Sequence, residues 1–433
     1  GWSFDSWSGD ASGTINPITT NMTSNKTITA TFTRIPTVTI RVPRDYSTIT
    51  AAIAAAYPGD TILASPGTYY EEVAINKAVQ LIGAGASTTF IDGTGVLLAS
   101  PGLVKITAPG NVILSGFTVR NAPGGPVDTF EILSQSNIAG VTYTVSYNKI
   151  YGTNNPDNAY DWGFYSSNDK SNLIFTHNLV TQTGCNNIVL ELHTGMTEIS
   201  YNTLDAGVWG TDAIFFMTYN GYDVTALQKV CHNNINMGTG GPFDYDHRAS
   251  AISFNTPGAA WGLTDAKFIN VVIEGNIINN LESYRRGIGF WNGGGVGGGT
   301  IAPRVQHNSI TGVVGATESY GIDFIGSGAT TYADILDNQI YYCSRGIYLR
   351  TTDCALGAQI AYNLISGNTV GLDNAVGSSD VDARYNYWGA ASGPFNEVSN
   401  PSGLGDPATA YVDYTSFLAA PVHPKIILVP SDY

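Results

Sequence analysis

At 433 residues the chain carries 34 acidic against 19 basic side chains, a net charge of −15, and no basic stripe that could release counterions from a nucleic acid. No stretch approaches 18 consecutive apolar residues, so none reads as a membrane-spanning helix. The same acidity disfavours a highly anionic polysaccharide as ligand unless a local basic cleft or a bridging calcium ion intervenes.

In chain order, residues 1–34 have a texture of their own: Gly1-Trp-Ser-Phe-Asp-Ser-Trp7, Asn16-Pro17, then Asn25-Lys-Thr-Ile-Thr-Ala-Thr-Phe32. Thr27–Thr33 alternates as a strand should, with Ile28, Ala30 and Phe32 on one side. Asn21 and Asn25 each head an Asn-x-Thr triplet, a candidate glycosylation acceptor. A start at Gly1 with no leader in view reads as a mature or trimmed form. Further on, Ser47 is placed to cap a short helix through Tyr57 whose Ile49, Ala52, Ile53 and Ala56 share one face, with Pro58-Gly59 ending it. Such a helix would cover the open end of a stacked structure.

From there one phrase recurs. Asn148 in Tyr-Asn-Lys-Ile150 returns as Asn178, Asn202, Asn233, Asn276, Asn308, Asn338, Asn363 and Asn386, at spacings of 30, 24, 31, 43, 32, 30, 25 and 23 residues. A period in this range signals a solenoid. Each copy sits in a short alternating apolar segment such as Val305-Gln-His-Asn-Ser-Ile310, so the units are strands, not helices. Three strands and three turns take roughly 21–27 residues per coil. The longer spacings therefore carry loops, the largest around Gly238–Asp265. Coils stacked about 4.8 Å apart let each Asn amide bond the next, a ladder; the rival reading is that Asn only marks a turn.

Candidate chemistry is sparse. Inside the long insertion, Asp246, His247 and Arg248, beside Asp244 and Tyr245, could neutralise a uronate carboxylate and abstract the neighbouring proton; the alternative is a loop closed by an Asp–Arg pair. Tyr284-Arg285-Arg286 could complete a basic patch there or bridge nearby acids. Trp162, Trp209 and Trp291 lead a set of aromatics able to stack on sugar rings. Asp157, Asp161 and Asp169 cluster in sequence with Lys170 as their only cationic neighbour, too little for a calcium-assisted lyase. No metal site is expected, and no cofactor beyond that bridging calcium. Cys185 with Cys231, and Cys343 with Cys354, are candidate disulfides, though four cysteines permit three pairings. The chain closes on Pro424-Lys-Ile-Ile-Leu-Val-Pro430, with 425–429 an apolar strand bounded by prolines that could join an open sheet edge.

These features resemble a known family. The entry Asp45–Ile53, Pro58-Gly59-Asp60-Thr-Ile62, Pro66-Gly67-Thr-Tyr69 and Leu81-Ile-Gly83, the repeats, and the exit Tyr385-Asn-Tyr-Trp-Gly389 are similar to right-handed parallel β-helix proteins of the pectin-lyase-like superfamily, in its secreted bacterial and archaeal surface group. Residues 1–34 resemble divergent internalin-type repeats, of which the chain holds about half, implying an unpaired edge. The implied architecture is all-β: an N-terminal module at 1–34, a β-helix with a capping helix at 35–418, and a tail at 419–433 with its strand at 425–429. The 244–248 loop faintly resembles the Asp-Pro-His signature of mannuronan C5-epimerases but departs from its order. Paired aspartates of the superfamily's glycosidases are absent.

The leading functional expectation is an extracellular structural subunit of a surface layer, sheath or filament, self-associating head to tail. A carbohydrate-binding adhesin, or a polysaccharide lyase or C5-epimerase, is the alternative. Catalysis is not the favoured reading, since the fold alone hosts many activities.

Overall fold

The computed structural model describes residues 2–34, 36–99, 101–123, 129–152, 161–206, 212–238, 249–258, 262–293, 299–326, 330–350, 359–375, 377 and 380–422. From Thr39 onward the chain winds as a right-handed parallel β-helix with three long parallel sheets of 13, 11 and 11 strands. Each coil contributes, in order, a strand to sheet 1, to sheet 2 and to sheet 3; Thr142–Ser146, Lys149–Tyr151 and Asp161–Ser167 are one such coil.

The corner between sheets 1 and 2 explains the recurring phrase. From Ser115 to Leu364 it is always two residues long. The first adopts the left-handed conformation, with φ between 54° and 65° at Tyr147, His177, Tyr201, His232, Gly275, His307, Asp337 and Tyr362. From the Tyr147 corner on, the second is the buried asparagine. Each amide nitrogen donates to the Oδ1 of the next coil's asparagine, from Asn148 to Asn178 at 3.2 Å through Asn363 to Asn386 at 2.9 Å. The same Oδ1 accepts the preceding asparagine's backbone N–H, at 2.9–3.0 Å. The asparagine is thus turn-former and ladder rung together. With non-glycine left-handed residues costing on the order of 1 kcal/mol each, the ladder offsets a strain that every coil repeats.

Inside, side chains stack by kind. The inward column of sheet 2 runs from Ile91 through Val119, Ile150, Val180 and Leu204 to Ile365 without a polar member. Sheet 3 stacks Phe216, Phe254, Phe290 and Phe324 at centroid separations of 4.2, 6.2 and 4.9 Å.

The N-terminal end is closed by the helix Ile49–Ala55, which buries Ile49, Ala52 and Ile53. Its cap is Thr48, not Ser47: the Thr48 hydroxyl accepts from Ala51 N–H at 3.1 Å, so the helix begins one residue later than Ser47 would set it. Both carboxylate oxygens of Glu71 accept the Ile49 and Thr50 N–H groups at 2.8 Å, and Lys77 Nζ donates to Ala54 and Ala56 carbonyls. An anion at the N-terminus and a cation at the C-terminus both suit the helix dipole. Before it, Trp2–Gly9 and Ile28–Arg34 form an antiparallel pair. The exit residue Trp388 is fully buried in the last coil.

Two sequence expectations change. The long insertion is not one loop, because the strand Ser250–Thr256 runs through its middle as a member of sheet 3. Cys185, Cys231 and Cys343 are not joined in a disulfide. Cys185 lies in a corner between sheets 2 and 3, whereas Cys231 ends a sheet 1 strand two coils on, so the pair is never apposed. Burial raises the Cys231 thiol to about 11 and that of Cys343 to about 12, so both stay protonated. Cys354 and the 425–429 strand lie outside the described residues.

Candidate functional site on the outer face of sheet 3

From Ser115 on, coil length varies only where it borders sheet 3. Between Ser115 and the end of the column, the chain from sheet 2 to sheet 3 takes 3 to 13 residues, and from sheet 3 to sheet 1 takes 3 to 10, against the constant two of the remaining corner. Loops on a rigid scaffold carry function more often than the scaffold does. The outward side chains of sheet 3 bear this out in their chemistry.

In the upstream half, Phe130, Trp162 and Tyr165 stack on one another, with centroids 4.5–5.1 Å apart and planes within 23°. The Tyr165 hydroxyl donates to Glu191 Oε2, and Tyr219, one coil further, donates to Glu191 Oε1 at 2.6 Å. Burial and then the Glu191 carboxylate push both phenols above their ordinary range, so they remain donors. In the middle, the half-buried Asp212 accepts the Ser250 N–H and, at 2.7 Å, the Ser253 hydroxyl. Burial raises its carboxyl despite those donors and the field of Arg286.

The downstream half is an ionic lattice. Asp323, fully buried, accepts Arg286 Nε at 2.6 Å and both Nε and Nη2 of Arg350 at 2.9 and 2.6 Å. Arg345 Nε donates to Asp373 at 2.6 Å. Arg350 lies 4.6 and 4.7 Å from the ring centres of Tyr320 and Tyr348, and Arg345 lies 4.6 Å from Tyr348. Guanidinium groups fixed by carboxylates and aromatic rings are ordered before any ligand arrives.

The sequence candidates distribute unevenly over this face. Trp162 and Trp291 both lie on strands of sheet 3. Trp209 and the loop bearing Asp246, His247 and Arg248 lie outside the described residues. Arg286 bridges a carboxylate, the second of the two readings given for Tyr284–Arg286. Asp169 does not join a surface acid cluster: it is buried at the corner after sheet 3, accepting from Ser134 Oγ at 2.6 Å and from Ser171 N–H at 2.8 Å. Among the described residues no group of three His, Cys, Asp or Glu converges as metal ligands. Asn21 and Asn25 are exposed between the two strands of the N-terminal module.

Sequence reading missed Glu191 with its two tyrosines, Asp212, and the Arg345–Arg350 lattice. A signal existed for the last: Arg286-Gly-Ile-Gly-Phe290, Tyr320-Gly-Ile-Asp-Phe324 and Arg345-Gly-Ile-Tyr-Leu349 share one phrase, and they pair in register.

Residues 1–36 match the family model of the divergent InlB B-repeat domain. No curated protein matches the chain. Among solved structures, similarity is found to the catalytic unit of a GH87 alpha-1,3-glucanase from Streptomyces thermodiastaticus strain HF3-3, at 14% identity over 92% of this chain and 74% of that one, with a TM-score of 0.41. The A-module of the mannuronan C-5 epimerase AlgE6 from Azotobacter vinelandii is 14% identical over 86% and 94% of the two chains, TM-score 0.40. An alginate lyase from Paenibacillus sp. str. FPU-7 is 15% identical over 87% and 99%, TM-score 0.34. The substrates in these names are those proteins' own; the β-helix of this chain stands on its strand pairing.

Proposed function

We propose that this is an extracellular carbohydrate-binding protein that lays an extended polysaccharide along the outer face of sheet 3. The observation that carries the reading is the row of stacked rings, tyrosine-held carboxylate and ordered guanidiniums on the one face that both variable corners border. Coils repeat at roughly 4.8 Å, so equivalent groups recur along the column axis, as sugar units recur along a chain. Aromatic faces suit the apolar faces of sugar rings, and fixed carboxylates and guanidiniums suit hydroxyls. The structural-subunit reading drew on the N-terminal module, the plain polar coils, the lack of a complete catalytic set and the 425–429 strand, and the lyase or epimerase reading on 244–248; both segments lie outside the described residues. What favours the adhesin alternative is the described chemistry of sheet 3.

The test is a glycan array probed with purified protein. Trp162→Ala removes one of the three mutually stacked rings of the upstream cluster and is expected to weaken the bound glycan by up to about tenfold, given that an aromatic stacking contact contributes roughly 0.5–1.5 kcal/mol beyond its buried area. Tyr147→Ala, at the opposite corner, leaves binding unchanged. A protein that captures no glycan, or a Trp162→Ala variant that binds as well as wild type, overturns the reading.

A further inference from the structure

A concavity lies on a face other than that of sheet 3. On the outside of sheet 2, near the N-terminal end, a cavity of about 430 Å³ is lined by Phe90, Thr118, Arg120, Asn121, Lys149, Tyr151 and Gln182 among others. Its floor is set by register: Phe90, Thr118 and Lys149 stack in one outward column, and Asp92, Arg120 and Tyr151 in the next. Outward side chains on adjacent strands sit about 5–8 Å apart, so the heads of Arg120 and Lys149 open onto the same space.

We propose that this cavity binds a sugar-sized oxyanion: a hydroxyl-rich small molecule bearing a phosphate, sulfate or carboxylate group. Two cations, Arg120 and Lys149, line it, and no carboxylate is among its lining residues. Arg120 is held from two sides, its Nε donating to Asp92 at 2.7 Å and its guanidinium carbon 4.6 Å from the centre of the Phe90 ring. That geometry fixes the fork of a residue that lines the cavity, and neither of its terminal nitrogens makes a hydrogen bond among the described residues. Lys149 has no carboxylate partner among the described residues. Asp92 is occupied on its other side by Asn121 Nδ2 at 3.0 Å and by the Thr94 hydroxyl at 2.7 Å, so it does not neutralise Lys149 as well. In a chain of net charge −15, an uncompensated ammonium beside an oriented guanidinium is a local positive well. Planar guanidinium and ammonium together are the usual protein reply to an oxyanion. Asn121, Tyr151 and Gln182 around the rim supply amide and hydroxyl partners for a polyhydroxylated body.

Titration calorimetry of the full chain with inorganic phosphate, inorganic sulfate, glucose 6-phosphate, glucuronate and glucose tests this. Saturable binding of at least one anion, with glucose silent, is expected, and the ranking of phosphate, sulfate and carboxylate names the group. Lys149→Gln, on the surface and without a partner to orphan, should weaken the anion at least tenfold at unchanged thermal midpoint, and Lys149→Glu should abolish it. Arg384→Gln, which alters an ion pair in the last coil, serves as the control and leaves binding intact. Equal affinity for glucose and its phosphate, no anion bound, or full binding by Lys149→Gln overturns the proposal. The polysaccharide face on sheet 3 is untouched by either outcome, since Trp162 and Lys149 lie on different sheets.

Discussion

His193 shows how much one side chain sets the conditions under which this column is stable. It is buried where the chain leaves sheet 3, with Nδ1 2.9 Å from Ser166 Oγ. Burial pulls its imidazole down to about 4, against the field of Asp169. An unfolded histidine titrates near 6.5, so as pH falls below about 6.5 the unfolded chain takes up a proton that the folded chain refuses. The histidine's contribution is therefore fully present above about pH 6.5 and is lost as pH falls toward 4. The loss amounts to about 3 kcal/mol by the lower limit. Asp212 and Asp406 are shifted upward, chiefly by burial, and act in the opposite sense at low pH. Comparing wild type with His193→Gln isolates the histidine from them. Thermal melts between pH 7 and 4.5 should show a steep fall for wild type and a shallower one for the variant; parallel curves would show that the imidazole charges freely in the folded state.

At the scale of the strand, sheet 3 is held close by glycine. Gly287, Gly321, Gly346 and Gly371 stack in consecutive coils, and a Cβ on Gly321 would sit 2.4 Å from the Gly346 carbonyl oxygen and 2.5 Å from Ile340 Cγ2. The backbone oxygen cannot swing aside as a side chain would, so Gly321→Ala forces two coils apart just where Arg345 and Tyr348 are positioned. A loss of about 1–3 kcal/mol, the range for overpacking a well-filled site, is expected in urea melts. Gly315→Ala, at a turn with open space around it, is the comparison for left-handed strain alone. Much of the fold was legible because, from Ser115 on, the corner between sheets 1 and 2 keeps one length: one asparagine must meet the next, so the same phrase had to recur. Sheet 3 was not, although its X-Gly-Ile phrase recurs at Arg286, Tyr320 and Arg345. Corners of 3 to 13 residues before it scramble the spacing. The side chains that give it chemistry also differ from coil to coil by design of the site, so no repeat marks Glu191 or Asp212.

Across the whole molecule the end of the column decides what can be removed. Strands Trp2–Gly9 and Ile28–Arg34 form a two-stranded antiparallel sheet that, among the described residues, joins none of the column's sheets, with Phe4 edge-on to Phe32 at 5.8 Å. The first coil has its own lid: Ile49, Ala52 and Ile53 belong to the continuous core that runs on through Ile62 and Leu81. Solenoid stability is a sum of units and their interfaces, so an end that is already covered gains little from a module beyond it. Removing residues 1–35 should therefore leave the thermal midpoint of the column within about 2 °C. Removing residues 1–56 should lower it well beyond that, because it strips the helix and exposes the apolar end of the first coil. If the shorter deletion alone destabilises the protein as much as the longer, the lid is not the helix but the module in front of it, and the internalin-type repeat would have to be counted as part of the column's core.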